Sequence, residues 1–186
     1  NKAAVQDLNG HGTHTASEAA SPINGIGTAG VAPEATIVAL KAGNANGYFF
    51  TQEVVDAMIY AGDHHLDVVN MSFFADPWLF NCRNDADQRA IVQAIGRASR
   101  YAQQQGVVMV AAQGNEAIDL AHPVTDEISP DFPPGSELTR EVGNNCLVLP
   151  NELPGVVGVT AVGPSGELSF YSSYGANRAR FEDYVQ

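Results

Sequence analysis

A chain of 186 residues with 45% apolar and only 16% charged side chains is long enough to bury one sizeable core and too apolar to be disordered. Its formal charge of −12 argues against nucleic acid or an anionic membrane surface as partner, since both would repel it. No apolar run approaches the roughly 18–20 residues that cross a bilayer, so no membrane span is expected.

The text opens at Asn1 in polar sequence, with neither an initiating Met nor a signal peptide, and stops at Gln186 without a closing element, as expected of a fragment of a longer domain, a processed product being the alternative. Four short runs, 35–40, 67–73, 107–112 and 156–162, are rich in Val, Ile and Ala without polar alternation. That pattern predicts strands buried on both faces of a parallel sheet. After the first run, Thr51 is the expected N-cap of a helix that carries Val54, Val55, Met58 and Ile59 on one face. A longer helix is expected over about 87–105, with Ile91, Val92, Ile95, Ala98 and Ala102 as its apolar stripe and Gly106 in the left-handed position past its end. The segment 117–152 breaks the pattern. It is acidic and Pro-rich, and is expected to be a long surface insertion within one domain spanning 1–186. The stretch 176–186 carries no pattern that can be assigned. Strands alternating with helices predict an α/β fold, a mostly parallel sheet flanked by helices and incomplete at both ends, with its chemistry at the carboxyl ends of the strands.

Two strings carry chemistry. The first is Asn9-Gly10-His11-Gly12-Thr13-His14-Thr15-Ala16. Histidines three apart suit a metal at helical spacing, but no third ligand or HExxH-like carboxylate accompanies them, and a core histidine is the plain alternative for either. The second is Val110-Ala111-Ala112-Gln113-Gly114-Asn115-Glu116, an apolar strand that ends by presenting an amide side chain, or else an ordinary Gly-Asn turn. The residues alone likewise leave Cys82 and Cys146, 64 positions apart and in neither a CxxC nor a zinc pattern, as two free thiols or one disulfide.

Together these strings resemble the subtilisin-like serine peptidases, whose HGTHxA and AAGNE signatures they match. Three further stretches match in family order: Gly27-Thr28-Ala29-Gly30-Val31-Ala32-Pro33, Asp67-Val68-Val69-Asn70-Met71-Ser72, and 153–162 followed by Ser169-Phe170-Tyr171-Ser172-Ser173-Tyr174-Gly175. The resemblance, which covers about 7–175, implies a three-layer subtilisin-like α/β fold. It implies that His11 is the general base at the start of a helix, with His14 structural, and that Asn115 is the side-chain donor of the oxyanion hole. Ser72, Phe73, Phe74 and Ala75 would form one wall of the substrate cleft, and Ala111, Ala112, Gln113 and Gly114 the other. Gly47, Tyr48 and Phe49 align with the strand that pairs with an extended substrate, an ordinary loop being the alternative.

The loop 22–28 matches the family's calcium loop, which implies a structural Ca²⁺ held by the Asn24 side chain and by carbonyls of Pro22, Ile26 and Thr28; no cofactor is required for the chemistry. Phe73-Phe74-Ala75 stands where the family has Leu-Gly-Gly, so Phe74 is expected to reshape the specificity pocket. With Asn81-Cys82 it resembles a secreted, actinobacterial-type branch in which Cys82 and Cys146 are bridged.

The matching residues are an incomplete set. Asp7 is the only carboxylate before His11 and reads as a turn residue or as a support that sits behind the histidine. No GTSMA-like string occurs, and Ser169, Ser172 and Ser173 read as structural. The expected function is therefore part of a secreted serine endopeptidase acting on polypeptides, with the triad Asp and Ser outside the chain and the isolated chain inert. Two other classes are a non-catalytic relative that binds peptides and a generic α/β ligand-binding domain. For the latter, the loose GxGxxG match at Gly25, Gly27 and Gly30 lacks the helix that should follow it.

Overall fold

In the computed structural model residues 5–175 are described, and the unassigned stretch 176–186 lies outside them. The chain divides into two compact units between Tyr48 and Phe49.

The first unit contains one helix, α1 (His11–Ala20). Its last turn leaves carbonyls without helical partners, and the strand-like string after the 22–28 loop supplies donors for them. Val31 N donates to Glu18 O (3.0 Å), Ala32 N to Ala19 O (2.8 Å) and Gly30 N to Ser21 O (2.9 Å). Gly30 is required there because a Cβ would lie 2.5 Å from the backbone nitrogens of Ala20 and Ser21. The strand expected over 35–40 is not formed. Its residues have no regular secondary structure, are mostly exposed and bear no ladder bonds among the described residues. An apolar run becomes a strand only where a neighbour offers backbone partners.

The second unit opens with α2 (Thr51–Asp63), whose N-cap is Phe50 and not Thr51; the threonine is the first helical residue. Val54, Met58 and Ala61 are its buried face, while Ile59 turns outward. Next come β1 (Val68–Met71), β2 (Phe80–Cys82) and α3 (Ala86–Gln104). The helix α3 starts earlier than periodicity alone predicts because Asp85 caps it. Asp85 Oδ1 accepts from Gln88 N (2.9 Å), and Gln88 Oε1 reaches back to Cys82 N (2.7 Å). Five strands follow: β3 (Val108–Ala112), β4 (Thr125–Asp126), β5 (Arg140–Glu141), β6 (Cys146–Val148) and β7 (Val157–Val159).

The main sheet has the order β1-β3-β7, all parallel, with Met71 opposite Ala111 and Ala112 opposite Val159. Burial alternates along it. Met71, Met109 and Ala111 are buried, whereas Val68, Val108, Val157 and Val159 are about half exposed. Burial on both faces, expected from the unbroken apolar runs, therefore does not hold for these strands. The methionines and alanine face the core, and the valines lie on the opposite, half-exposed face.

The segment 117–152 also departs from expectation. Its end is not on the surface, since every residue from 146 to 153 is buried, whereas 131–145 is exposed or half-buried. Its strand β6 pairs antiparallel with β2, placing Cys146 opposite Cys82, and β4 pairs with β5. Around the pair, Leu79, Phe80, Leu120 and Val148 form a second apolar cluster, which accounts for an acidic, Pro-rich string returning to the interior.

Candidate active site

His11 is the first residue of α1, and the local sequence fixes how it is presented. Asp7 works as an N-terminal cap from outside the helix. Its Oδ1 accepts from the amides of Gly10 (2.8 Å) and Asn9 (3.0 Å), and its Oδ2 from the amide (2.8 Å) and hydroxyl (2.7 Å) of Thr13. These donors, led by the Gly10 amide, hold the Asp7 carboxyl well below the usual carboxylate range. The carboxylate also complements the positive end of the helix dipole. His11 N in turn donates to Asn9 Oδ1 (3.3 Å), so the His11 backbone is held by its own lead-in. Asp7 thus occupies the turn role read from the sequence. His14, one turn on, pairs with Glu18 (3.1 Å) on the exposed face of α1 and is not a core histidine. Among the described residues no cluster of three His, Cys, Asp or Glu side chains is placed to hold a metal.

The loop 22–28 is exposed, and Asn24 Oδ1 accepts from Ile26 N (3.0 Å) in an Asx turn. Asn24 with the carbonyls of Pro22, Ile26 and Thr28 is an all-oxygen set without charge. It suits Ca²⁺ in kind, but it needs a carboxylate that the loop does not contain.

In the second unit, the parallel pairing of β1 with β3 carries Ser72–Ala75 and Ala112–Gly114 out of the sheet side by side at the carboxyl ends. Asn70 Nδ2 donates to Ser72 Oγ (3.0 Å), and Gln113 N prolongs the pairing with β7 through Val159 O (3.0 Å). Asn115 follows immediately and is exposed. Its amide donates to Glu116 Oε2 (2.8 Å), and the turn is locked from behind by buried Ser173. Ser173 N donates to Gly114 O (3.0 Å), while its Oγ accepts from Ile118 N (3.3 Å) and donates to Glu116 Oε2 (3.4 Å). Gly114 has φ 113°, and a Cβ on it would sit 2.4 Å from Glu116 Oε2 and 3.3 Å from Ser173 Oγ. Ser172 likewise is buried, its Oγ accepting from Ala161 N (2.9 Å).

Sequence reasoning read these serines as structural. It missed that Ser173 and Glu116 together shape the Asn115 turn, a pairing across 57 positions that no local pattern announces.

The aromatic pair Phe73-Phe74, which stands where the family has Leu-Gly, splits in two directions. Phe73 stacks on Phe49 with ring centroids 4.2 Å apart and planes 4° from parallel. Phe74 packs instead against the disulfide cluster. Its bulk is thus accommodated in part by the 117–152 segment, which also receives the adjacent backbone through Ala75 N to Leu149 O (2.9 Å). Gly47 and Tyr48 belong to a turn closed by Asn44, whose Oδ1 accepts from Tyr48 N (3.1 Å) and whose amide donates to Tyr48 O (2.9 Å). No strand forms over 47–49 among the described residues; a bridge pairs the neighbouring Phe50 with Asp76. Cys82 and Cys146 are joined in a disulfide.

With this arrangement in hand, the sequence profile of the Subtilase family matches residues 1–182. The chain belongs to the subtilase family. It is 32% identical over 170 residues to a thermophilic serine proteinase of Bacillus sp. (strain AK1), a match covering 91% of this chain and 33% of that protein. It is 35% identical over 111 residues to the minor extracellular protease Epr of Bacillus subtilis (strain 168), covering 60% of this chain and 15% of Epr. The structure of Sphericase superposes with a TM-score of 0.63 at 24% identity, over 90% of this chain and 46% of Sphericase, which shows the subtilisin-like α/β fold. The chain thus spans about a third of the first of these relatives and less than half of the last.

Proposed function

We propose that this chain is part of a secreted serine endopeptidase and contributes the general base His11 and the oxyanion donor Asn115, the triad Asp and Ser coming from sequence outside these 186 residues. The observation that carries the reading is the turn at the end of β3. A parallel strand delivers Asn115, and the positive-φ turn at Gly114 is held by buried Ser173, so the backbone that presents an exposed amide side chain is held in place before substrate arrives. Preorganised donors of this kind stabilise charge that develops on a scissile carbonyl. His11, anchored by a capped helix start, takes the proton of the attacking serine and returns it to the leaving amine. A polypeptide substrate runs along Ser72–Ala75 on one side and Ala111–Gly114 on the other, and the family resemblance assigns Gly47, Tyr48 and Phe49 a substrate-pairing role as well.

Secretion is supported by the disulfide and by the extracellular relative Epr. A structural Ca²⁺ at Asn24, Pro22, Ile26 and Thr28 would require a carboxylate from elsewhere, and it plays no part in the chemistry.

The test uses the chain alone and the chain with its flanking gene sequence. A fluorophosphonate probe should leave the isolated chain unlabelled, and stoichiometric labelling of Ser169, Ser172 or Ser173 would sink the assignment of those serines. The extended protein should hydrolyse a protein substrate. Activity should vanish in His11→Ala and fall about 10²–10³-fold in kcat in Asn115→Ala, a magnitude established on subtilisin, a member of the same family. An extended protein that binds peptides but cleaves none would establish the non-catalytic alternative.

A further inference from the structure

The two wall segments, Ser72–Ala75 and Ala111–Gly114, rest on one short turn that the peptidase reading does not use. This turn, 148–153, is buried throughout and closed by its own bonds. Glu152 N donates to Val148 O (2.9 Å), Val148 N to Glu152 Oε2 (2.8 Å) and Leu153 N to Pro150 O (3.1 Å). Just beyond it, Pro154 O accepts from Gln103 Nε2 of α3 (2.9 Å), which moors the turn to a helix. Toward the first wall, Leu149 O accepts from Ala75 N (2.9 Å). Toward the second, the fully buried Asn151 side chain reaches the core face of β7 at Gly158.

Gly158 pairs with Ala111 of β3, so two of the smallest residues lie side by side near the carboxyl end of the sheet. Gln113, two positions past Ala111, projects to the same face and is buried. A Cβ on Gly158 would lie 2.6 Å from Asn151 Oδ1 and 3.0 Å from Gln113 Nε2. An acceptor from the turn and a donor from the wall therefore converge where a side chain would stand. The φ of Gly158 is not positive, so what demands glycine is that occupied space and not the backbone conformation. Carboxamides buried in this way keep their places. Moving a polar group into apolar surroundings without a partner costs free energy, and a close-packed interior transmits a displacement.

We propose that Asn151 is a positioning residue for the oxyanion turn. Packed with Gln113 over Gly158, it fixes where β3 ends and so where the Gly114 turn presents Asn115; through Leu149 O the same 148–153 turn fixes Ala75. Ser173 holds the Gly114 turn from behind, and Asn151 holds the strand that leads into it. The spacing of the two walls is thus set by residues 148–153 and not by the sheet alone. That Asn115 acts on substrate rests on the peptidase reading; the joint between turn and walls does not.

The extended protein tests the role by kinetics. Gly158→Ala drives a methyl group between the two carboxamides and should lower kcat about 10-fold with KM little changed, the mark of an interaction made in the transition state. Asn151→Ala removes the support itself and should act in the same direction. In an Asn115→Ala background either substitution should cost less than about twofold, because the donor it misplaces is gone. A purely structural role would give the same loss in both backgrounds, and that result, or a kcat unchanged in both variants, would overturn the proposal. A second readout needs no catalysis. The ¹H–¹⁵N resonances of Gln113 and Ala75 should both move in Asn151→Ala, and movement of neither or of only one would overturn the joint. An extended protein that cleaves nothing while these resonances move would sink the peptidase reading and leave the joint standing.

Discussion

A single carboxylate determines how the histidine motif is presented. Asp7 collects four donors from the residues around His11, so the segment 7–13 is held as one hydrogen-bonded turn. Replacing it by Ala leaves the amides of Gly10 and Thr13 to water and should fray the first turn of α1, visible as faster amide exchange over residues 10–15 with the rest of the chain unchanged. The pH dependence has a definite sign. The folded-state value is depressed, so the contribution is fully present above the unfolded value of about 4 and is lost as pH falls below it. Asp7→Ala should therefore differ from wild type at neutral pH and converge with it in acid. The sequence left Asp7 as either a turn residue or a support behind the histidine motif, and the four donors it collects decide for the turn. The part played by Ser173 was not legible, because its partners Gly114, Glu116 and Ile118 lie 55 to 59 positions away and only folding brings them together.

Elements behave differently according to how local their causes are. The helix α3 was readable from its stripe, and its true start was readable as well: Asp85-x-x-Gln88 is a capping signature. Strands were readable only as apolar runs. Of four, three entered the parallel sheet and 35–40 did not, since a run cannot specify its own neighbour. The β4–β5 pair shows a buried charge making an element possible. Asp126 is fully buried and salt-bridged to Arg140, which also donates to Phe80 O (2.9 Å) and lies over the Trp78 ring at 4.6 Å. Burial pushes the Asp126 carboxyl up, but Arg140 and the donors from Ser129 and Ile128 outweigh it and leave it lowered. Asp126→Ala strands the guanidinium against the apolar cluster and should cost about 3–5 kcal/mol in chemical denaturation. In the wild type, the contribution of Asp126 is present above the unfolded carboxylate value and lost as pH falls through the folded one.

For the molecule as a whole, the segment 117–152 matters most. Its disulfide closes a 64-residue loop, and on chain-entropy grounds such a crosslink stabilises by about 4 kcal/mol. Reduction, or the paired change Cys82→Ser with Cys146→Ser, should lower the denaturant midpoint correspondingly. Because Phe74 and the Ala75 backbone rest on the same cluster, reduction should also disturb the Phe73–Phe49 stack, read from their ring resonances. A midpoint unchanged by reductant would show that β2–β6 pairing and the apolar cluster suffice without the bond.

The sequence by itself determined the family, the α/β class, two of the helices and the placing of His11 and Asn115 at the ends of elements, because each of these rests on contiguous residues or on motifs in fixed order. Only the tertiary structure decided which apolar runs found ladder partners, that an acidic, Pro-rich stretch turns inward around a disulfide, and that Phe73 and Phe74 point to different partners. Those outcomes depend on contacts between residues far apart in the chain, whose free energies exist only once the backbone has brought them together.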